Sequence, residues 1–380
     1  MKTILKFLMV AGLTFASKGA WALEQSGFFE LSTPFPSGTG NPNFSFNSAG
    51  ATPSWVRPST GIYDVLFPNM ANPNVAVGSG GDVQVTAHEP FKHCHPIFWN
   101  NSGANLLVRI GCFDRFGNPS NTKFVTAFRR MVAPVDQPSG YARAYLWSSS
   151  EAPPMAAPNP YTFNSLGGTN TVEFLGTGLY RARLPGMFGS FTGGTVMVSA
   201  YGDSAGMKYC KVGSWFLTPG TTNDLEVHVR CFAANGSPAN SRFTLSFGNN
   251  SFNKVGSAAF AWGDQPLAGT YTPHTFYQRV ILSASSDTSN YSTTALGSNI
   301  TIDRIGFASY RVNVPSLNSL AKTNVLVTSY GFDDANFCWI TSWAPFGSTQ
   351  RLNLACGTPS GSDAPSLFVA QFGTTQSFIF

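Results

Sequence analysis

The chain reads as an all-β protein built from three internal repeats of about 110 residues. Three observations carry this: one string of residues recurs three times, apolar residues within it alternate with a period of two, and no stretch has the period of an amphipathic helix.

The recurrence is plainest in VQVTAHEPFKHCHPIFW, VMVSAYGDSAGMKYCKVGSW and VLVTSYGFDDANFCWITSW. These align on Val83, Val196 and Val325, on Cys94, Cys210 and Cys338, and on Trp99, Trp215 and Trp343, with the tryptophan always five residues after the cysteine. A second cysteine follows in each copy (Cys112, Cys231, Cys356), with a glycine five residues later (Gly117, Gly236, Gly361). Each copy then closes on a phenylalanine pair: Phe124 and Phe128, Phe243 and Phe247, Phe368 and Phe372. Upstream, Tyr63, Tyr180 and Tyr310 each precede a proline by five residues (Pro68, Pro185, Pro315). GFFELSTP, ARAYLWSSSEAP and SAAFAWGDQP supply the opening strands, so the copies span 26–134, 140–252 and 256–380. The third copy differs at its loops, with an expansion over Ser283–Gly297 and no counterpart of Gly117–Pro119 and Gly236–Pro238.

Within a copy, Val108, Ile110 and Cys112 share one strand face, as do Val227, Val229 and Cys231, and Leu352, Leu354 and Cys356. Tyr63, Val65 and Phe67 alternate in the same way, and Gly, Pro, Asn and Ser clusters mark the turns between. About eight strands per copy fall into two chain-order sets of four. In the second copy these are ARAYLW, YTFNS, TVEFLG, LYRARLP and then TVMVSAYG, KYCKVGSWF, LEVHVRCF, SRFTLSF. Short linkers and the modest apolar content of a single copy favour a six-bladed β-propeller, two four-stranded blades per repeat. The alternative is three tandem β-sandwich domains.

Residues 1–22 are laid out as a signal peptide, with Lys2 and Lys6 ahead of an apolar Phe7–Phe15 run and Ala20-Trp21-Ala22 as the cleavage site. Cleavage after Ala22 predicts a protein that is secreted, extracellular or periplasmic, with no transmembrane segment once the signal is removed. It also removes Lys2, Lys6 and Lys18 from the 23 basic residues, leaving a charge of about +2 against the 18 acidic ones. A near-neutral chain without clustered Lys or Arg is not built to hold nucleic acid.

Six cysteines in three equivalent pairs predict the disulfides Cys94–Cys112, Cys210–Cys231 and Cys338–Cys356, because cross-repeat pairing would break the symmetry. No Cys-x2-Cys or Cys-x2-His cluster competes with them, and no cofactor is implied. The repeated tryptophans invite a sugar-binding reading, but their fixed distance from a cysteine assigns them to packing over the disulfide or core. Trp147 and Trp262 match in the opening strand, where the first copy has Glu30 or Leu31. Three of the five histidines, His88, His93 and His95, crowd one segment. His93 and His95, two apart on a strand, would point the same way and could share a metal ion with His88. The other copies have Tyr209 and Lys211, and Phe337 and Trp339, at the positions of His93 and His95, so the face tolerates any bulky or amphipathic residue and reads as an ordinary variable surface before a metal site. No hydrolase or phosphate-loop motif is visible, and no acidic residue recurs in all three copies.

The repeat wording, V-x-V-T-A-Y-G, then Cys, Trp, V-x-V-x-C-F and a terminal Phe, resembles a group of secreted bacterial triple-repeat all-β proteins over nearly the whole chain after the signal. The resemblance implies export and the repeated build, and it brings no activity or catalytic residues. His88 departs from its Tyr and Gly357 from its Phe. The function expected is therefore non-enzymatic binding, lectin-like or adhesive, of a glycan or cell-surface polymer. Loop aromatics such as Phe188, Tyr271 and Tyr277 would offer ring faces to sugars. The alternatives are a secreted hydrolase of an extracellular polymer and a structural component of a matrix or surface layer.

Overall fold

The computed structural model describes residues 25–73, 78–131, 142–158, 160–188, 193–202, 206–249, 257–281, 299–317 and 322–374. The segment 1–22 expected to be a signal peptide and the Ser283–Gly297 expansion lie outside the described residues. The period-two runs are strands, and the described residues are all-β apart from a single 3-10 turn at Thr275–Tyr277. In the first repeat these are β1 (Gln25–Leu31), β2 (Ser37–Thr39), β3 (Ser45–Asn47), β4 (Ser54–Ser59), β5 (Ile62–Phe67), β6 (Asp82–Ala87), β7 (Lys92–Ser102), β8 (Asn105–Asp114) and β9 (Phe124–Arg130). The second has β10 (Arg143–Trp147), β11 (Thr162–Asn164), β12 (Thr171–Gly176), β13 (Leu179–Leu184), β14 (Thr195–Tyr201), β15 (Lys208–Leu217), β16 (Leu225–Ala233) and β17 (Arg242–Gly248). The third has β18 (Ala258–Gly263), β19 (Thr270–Tyr271), β20 (Gln278–Ile281), β21 (Thr301–Arg304), β22 (Ser309–Pro315), β23 (Thr323–Tyr330), β24 (Phe337–Phe346), β25 (Thr349–Gly357) and β26 (Leu367–Thr374).

Strands of the two chain-order sets mix in the sheets. In the second repeat β11-β10-β17-β14 form one sheet and β12-β13-β16-β15 run side by side in another. The first repeat repeats the pattern as β3-β1-β9-β6 and β2-β4-β5-β8-β7. The reason is that the closing phenylalanine strand pairs with the opening strand of its own repeat, Phe28 opposite Ala127 and Ala144 opposite Phe247, and so draws first and last strands together. Apolar faces of both sheets meet in one core. In the first repeat Phe29, Leu31, Phe124 and Phe128 pack with Tyr63, Val65, Val108 and Ile110.

One buried tyrosine per repeat ties these layers. The hydroxyls of Tyr63, Tyr180 and Tyr310 accept from the backbone N–H of Thr122, Ser241 and Ser366 (3.1, 2.9 and 3.3 Å). Their rings lie 5.1–5.2 Å from Phe124, Phe243 and Phe368. The hairpins β7–β8, β15–β16 and β24–β25 place the cysteines directly opposite one another, and three disulfides join Cys94–Cys112, Cys210–Cys231 and Cys338–Cys356 with Cα separations of 4.0–4.1 Å. A one-residue bulge then follows in each hairpin, after Pro96, Val212 and Ile340. It turns a five-residue spacing, which would put Cys and Trp on opposite faces, into one that points both inward.

The repeats close on one another through their edge strands. β6 and β14 end their sheets, and β23 has only a single parallel bridge on that side, Val212 to Tyr330. Their spare backbone groups are met by a neighbour's hydroxyl. Thr86 Oγ1 donates to Val327 O and accepts from Val327 N–H (3.0 Å each). Ser199 Oγ accepts from Val85 N–H (3.0 Å), and Thr328 Oγ1 donates to Val198 O (3.3 Å). The links run from repeat one to three, three to two and two to one, so they form a cycle. The glycine turns form another: Gly117 approaches Ala234, Gly236 approaches Pro359, and Gly361 sits against Arg115. At φ of 84 to 89° these turns lie in the left-handed region open to glycine. The third core continues into Phe28, Val125 and Ala127 of the first repeat and Met197 of the second.

Candidate functional site: an aromatic cleft between repeats two and three

The bulged hairpin carries each repeated tryptophan to the border with the next repeat. Trp99 meets Tyr161 and Tyr201 (5.5 and 5.3 Å between ring centres). Trp215 meets Trp262 and Tyr330 (3.8 and 4.9 Å), and Trp343 meets Phe44 and His88 (5.4 and 5.3 Å). Strand register settles the opening-strand match. Glu30, Trp147 and Trp262 stand opposite Val125, Thr244 and Val369, each one residue after the first phenylalanine of its closing pair.

The three borders are filled differently. Trp99 and Trp343 are buried, and their indole N–H groups donate to Gly80 O (2.9 Å) and Thr323 Oγ1 (3.0 Å). At the second border it is Trp262 that donates to a glycine carbonyl, Gly194 O (3.0 Å), and Trp215 is left half-buried. A cavity of about 420 Å³ opens there. Trp215, Trp262, Tyr277 and Tyr330 line it, with Trp262 stacked on Tyr277 at 4.1 Å and an interplanar angle of 9°. Phe188 and Phe276, 41% and 44% exposed, stand at its rim. Gly193 brings the rim together, since a Cβ there would run into the Phe276 carbonyl, and its φ of 93° suits glycine. Among the described residues, no Asp, Glu, His, Lys or Arg lines the cavity. Burial, with Tyr277 and Asp264 nearby, raises the Tyr330 hydroxyl above its ordinary pKa, so it remains a neutral donor and acceptor.

Of the loop aromatics named from sequence, Phe188 and Tyr277 line this cleft. Tyr271 does not; its hydroxyl accepts from Gln265 N–H (3.2 Å). Sequence reasoning assigned Trp215 and Trp262 to core packing and missed that they face an open space. The sequence offers no signal for it: Gly193-Gly194 matches Gly80-Gly81 of the first copy, whose border is filled, and only the third copy differs there, with Lys322-Thr323.

The histidines divide between two places. His88 occupies the first-repeat position of Tyr201 and Tyr330, with Nδ1 3.3 Å from Glu30 Oε1 and Nε2 3.1 Å from Thr341 O. Glu30 and His88 thus replace the Trp and Tyr of the other borders. His93 and His95 are buried, and the variable-surface reading of their face is corrected: the backs of the three hairpins converge on the axis between the repeats and form a second core there. His93 packs on Tyr209 and Phe337 (4.5 and 3.9 Å), and His95 stacks on Phe113 (5.2 Å). Burial, and secondarily His95, lowers the pKa of His93 to about 3. Among the described residues, no three His, Cys, Asp or Glu side chains gather as a metal set, and no helix is long and apolar enough to cross a membrane. The three disulfides fit an oxidising, non-cytoplasmic compartment. No protein family, curated protein or solved structure matches the chain.

Proposed function

We propose that the protein is an exported binding protein that holds a glycan or cell-surface polymer in the cleft between its second and third repeats. The observation that carries this is the lining: eight aromatic side chains, among them Trp215, Trp262, Tyr277 and Tyr330, around a cavity of about 420 Å³, with no charged group among the described residues. Ring faces suit the apolar faces of sugars, hydroxyls suit their polar edges, and the absence of carboxylate and imidazole from the lining favours binding there over cleavage. Trp99 and Trp343, the counterparts of Trp215 at the first and third borders, are buried, so the reading is of a single principal site. Retention on polysaccharide columns and a glycan array tests it. Trp215→Ala, and the exposed rim change Phe276→Ser, are expected to weaken binding about tenfold or more, since a stacked ring contributes about 0.5–1.5 kcal/mol beyond its buried area. No retention of any glycan by the wild type, or retention indifferent to both changes, would overturn the proposal. Concentration-dependent self-assembly would point to the structural alternative.

The finer architecture follows the same reasoning. Each repeat is best taken as a two-layer sandwich, three of them arranged as one closed body. Interleaved strand order and a core shared by both sheets of a repeat support the layers, and the hydroxyl and turn cycles support closure.

A further inference from the structure

We propose that Ser214, His228 and Glu226 form a nucleophile relay on the outer face of the second repeat, able to hydrolyse a carboxylic ester. Glu226 and His228 lie two residues apart on β16, on the face opposite Val227 and Val229. The bulge in β15 moves the pairing by one residue, so Ser214 stands opposite His228. Ser214 Oγ lies 3.2 Å from His228 Nδ1, and His228 Nε2 lies 3.0 Å from Glu226 Oε1. Both distances are within reach for proton transfer. Glu226 is 3% exposed, and Arg181 and Arg183 each place a guanidinium nitrogen 3.8 Å from it. A carboxylate only accepts, so it holds the ring proton on Nε2 and leaves the Nδ1 lone pair facing the serine hydroxyl. The imidazole is turned the other way from the commonest serine triad, with the same proton inventory.

The other repeats show that the scaffold does not need this set. At the same places the first has Phe98, Arg109 and Leu107, with Arg109 over Phe98 and bonded to Asp64. The third has Ser342, Asn353 and Arg351, where Asn353 Nδ2 donates to Ser342 Oγ (2.9 Å). Only the second repeat places a base and an orienting carboxylate behind the hydroxyl. Its histidine ring is 5.3 Å from Phe216, which also lines the cleft, so the relay sits beside the cleft; the proposal does not depend on what the cleft holds.

In the reaction, Ser214 Oγ bonds to the ester carbonyl carbon while its proton passes to Nδ1. The bond to the alcohol oxygen breaks and that oxygen takes the proton from Nδ1. Water then attacks the acyl-serine by the same route, releasing the acid and restoring Ser214. His228 acts on the reacting atoms, and Glu226 is a positioning residue. The test treats the full folded protein with a fluorophosphonate probe and with 4-nitrophenyl acetate. Peptide masses should place the phosphonyl adduct on Ser214. Ser214→Ala and His228→Asn should abolish it and lower turnover about a hundredfold. Glu226→Gln should lower turnover less and move the pH–rate profile, whereas Ser342→Ala should change neither. A folded wild type with no adduct at Ser214, or turnover that Ser214→Ala leaves intact, overturns the proposal.

Discussion

Replacing Thr86 by valine asks whether the three repeats behave as one cooperative body. The hydroxyl makes two contacts with Val327 of the third repeat, donating to its carbonyl and accepting from its N–H, each at 3.0 Å. Valine keeps the shape of threonine, so Thr86→Val opens no cavity; it strands two buried backbone groups on an edge strand. An unsatisfied buried group costs about 1–3 kcal/mol, and the lost hydroxyl returns some of its own desolvation, so the net loss should be about 2 kcal/mol. Thr328→Val, which removes one longer contact to Val198 O (3.3 Å), should cost less. Urea unfolding followed by tryptophan fluorescence and far-ultraviolet dichroism reads both. The expected result is one coincident transition whose midpoint falls with unchanged slope. A change below about 0.5 kcal/mol, or a curve that splits into an altered step and an unaltered one, would refute closure through the edge strands.

Two further outcomes follow from the same interfaces. Deleting residues 256–380 removes Val327 and Thr328 from the hydroxyl cycle and Trp262 from the cleft, so the two-repeat remainder should be insoluble or lack a cooperative transition; a cooperative fragment would mean the repeats stand alone. His93 has its pKa lowered to about 3 in the folded protein, whereas an unfolded histidine takes up a proton near 6.5. The unfolded state therefore binds more protons across that window, and stability is lost as pH falls through it, by about 1.4 kcal/mol per unit. His93→Phe, which puts the residue of Phe337 at the axis, should flatten that loss. Asp82, pushed up to about 7 by burial, works in the opposite sense in both proteins and cancels from the comparison; an undiminished acid slope in the variant would rule His93 out.

The repeats, the strand faces and the cysteine pairing were legible because each depends on local spacing. Val227, Val229 and Cys231 could only share a face, and Cys210 could only meet Cys231 if one hairpin joined their strands. Sheet membership was not legible, because the pairing of Ala144 with Phe247 is a contact between residues about a hundred apart that chain order does not announce. The bulge hid more. Without it Ser214 would stand opposite Val227, with its hydroxyl over the core, so neither the serine–histidine contact nor the inward turn of Trp215 could be read from period two. His93 and His95 misled for a related reason. They do face away from Cys94, but away from the cysteine means toward the axis, and only closure of three hairpins makes that side interior.

Three copies of one unit set up three equivalent borders, and their differences are what a ligand would meet. The first is closed by Trp99, Trp147, Tyr161 and Tyr201, in which both tryptophans contact both tyrosines within 5.5 Å. The third exchanges one tryptophan and one tyrosine for Glu30 and His88, which link across to Thr341 and leave Trp343 buried. The second keeps the full aromatic set, Trp215, Trp262, Tyr277 and Tyr330, but leaves it open, because Trp262 bonds to the carbonyl of Gly194 and the Gly193 backbone holds the Phe276 turn at the rim. The same side chains that fill one border therefore line a cavity at another. What separates them is which indole bonds to the glycine pair that both borders carry: Trp99 to Gly80 O at the first, Trp262 to Gly194 O at the second. Any binding specificity this body possesses should thus be sought where the repeats differ at their borders, since the strands, tyrosines and disulfides they share are already committed to holding the layers together.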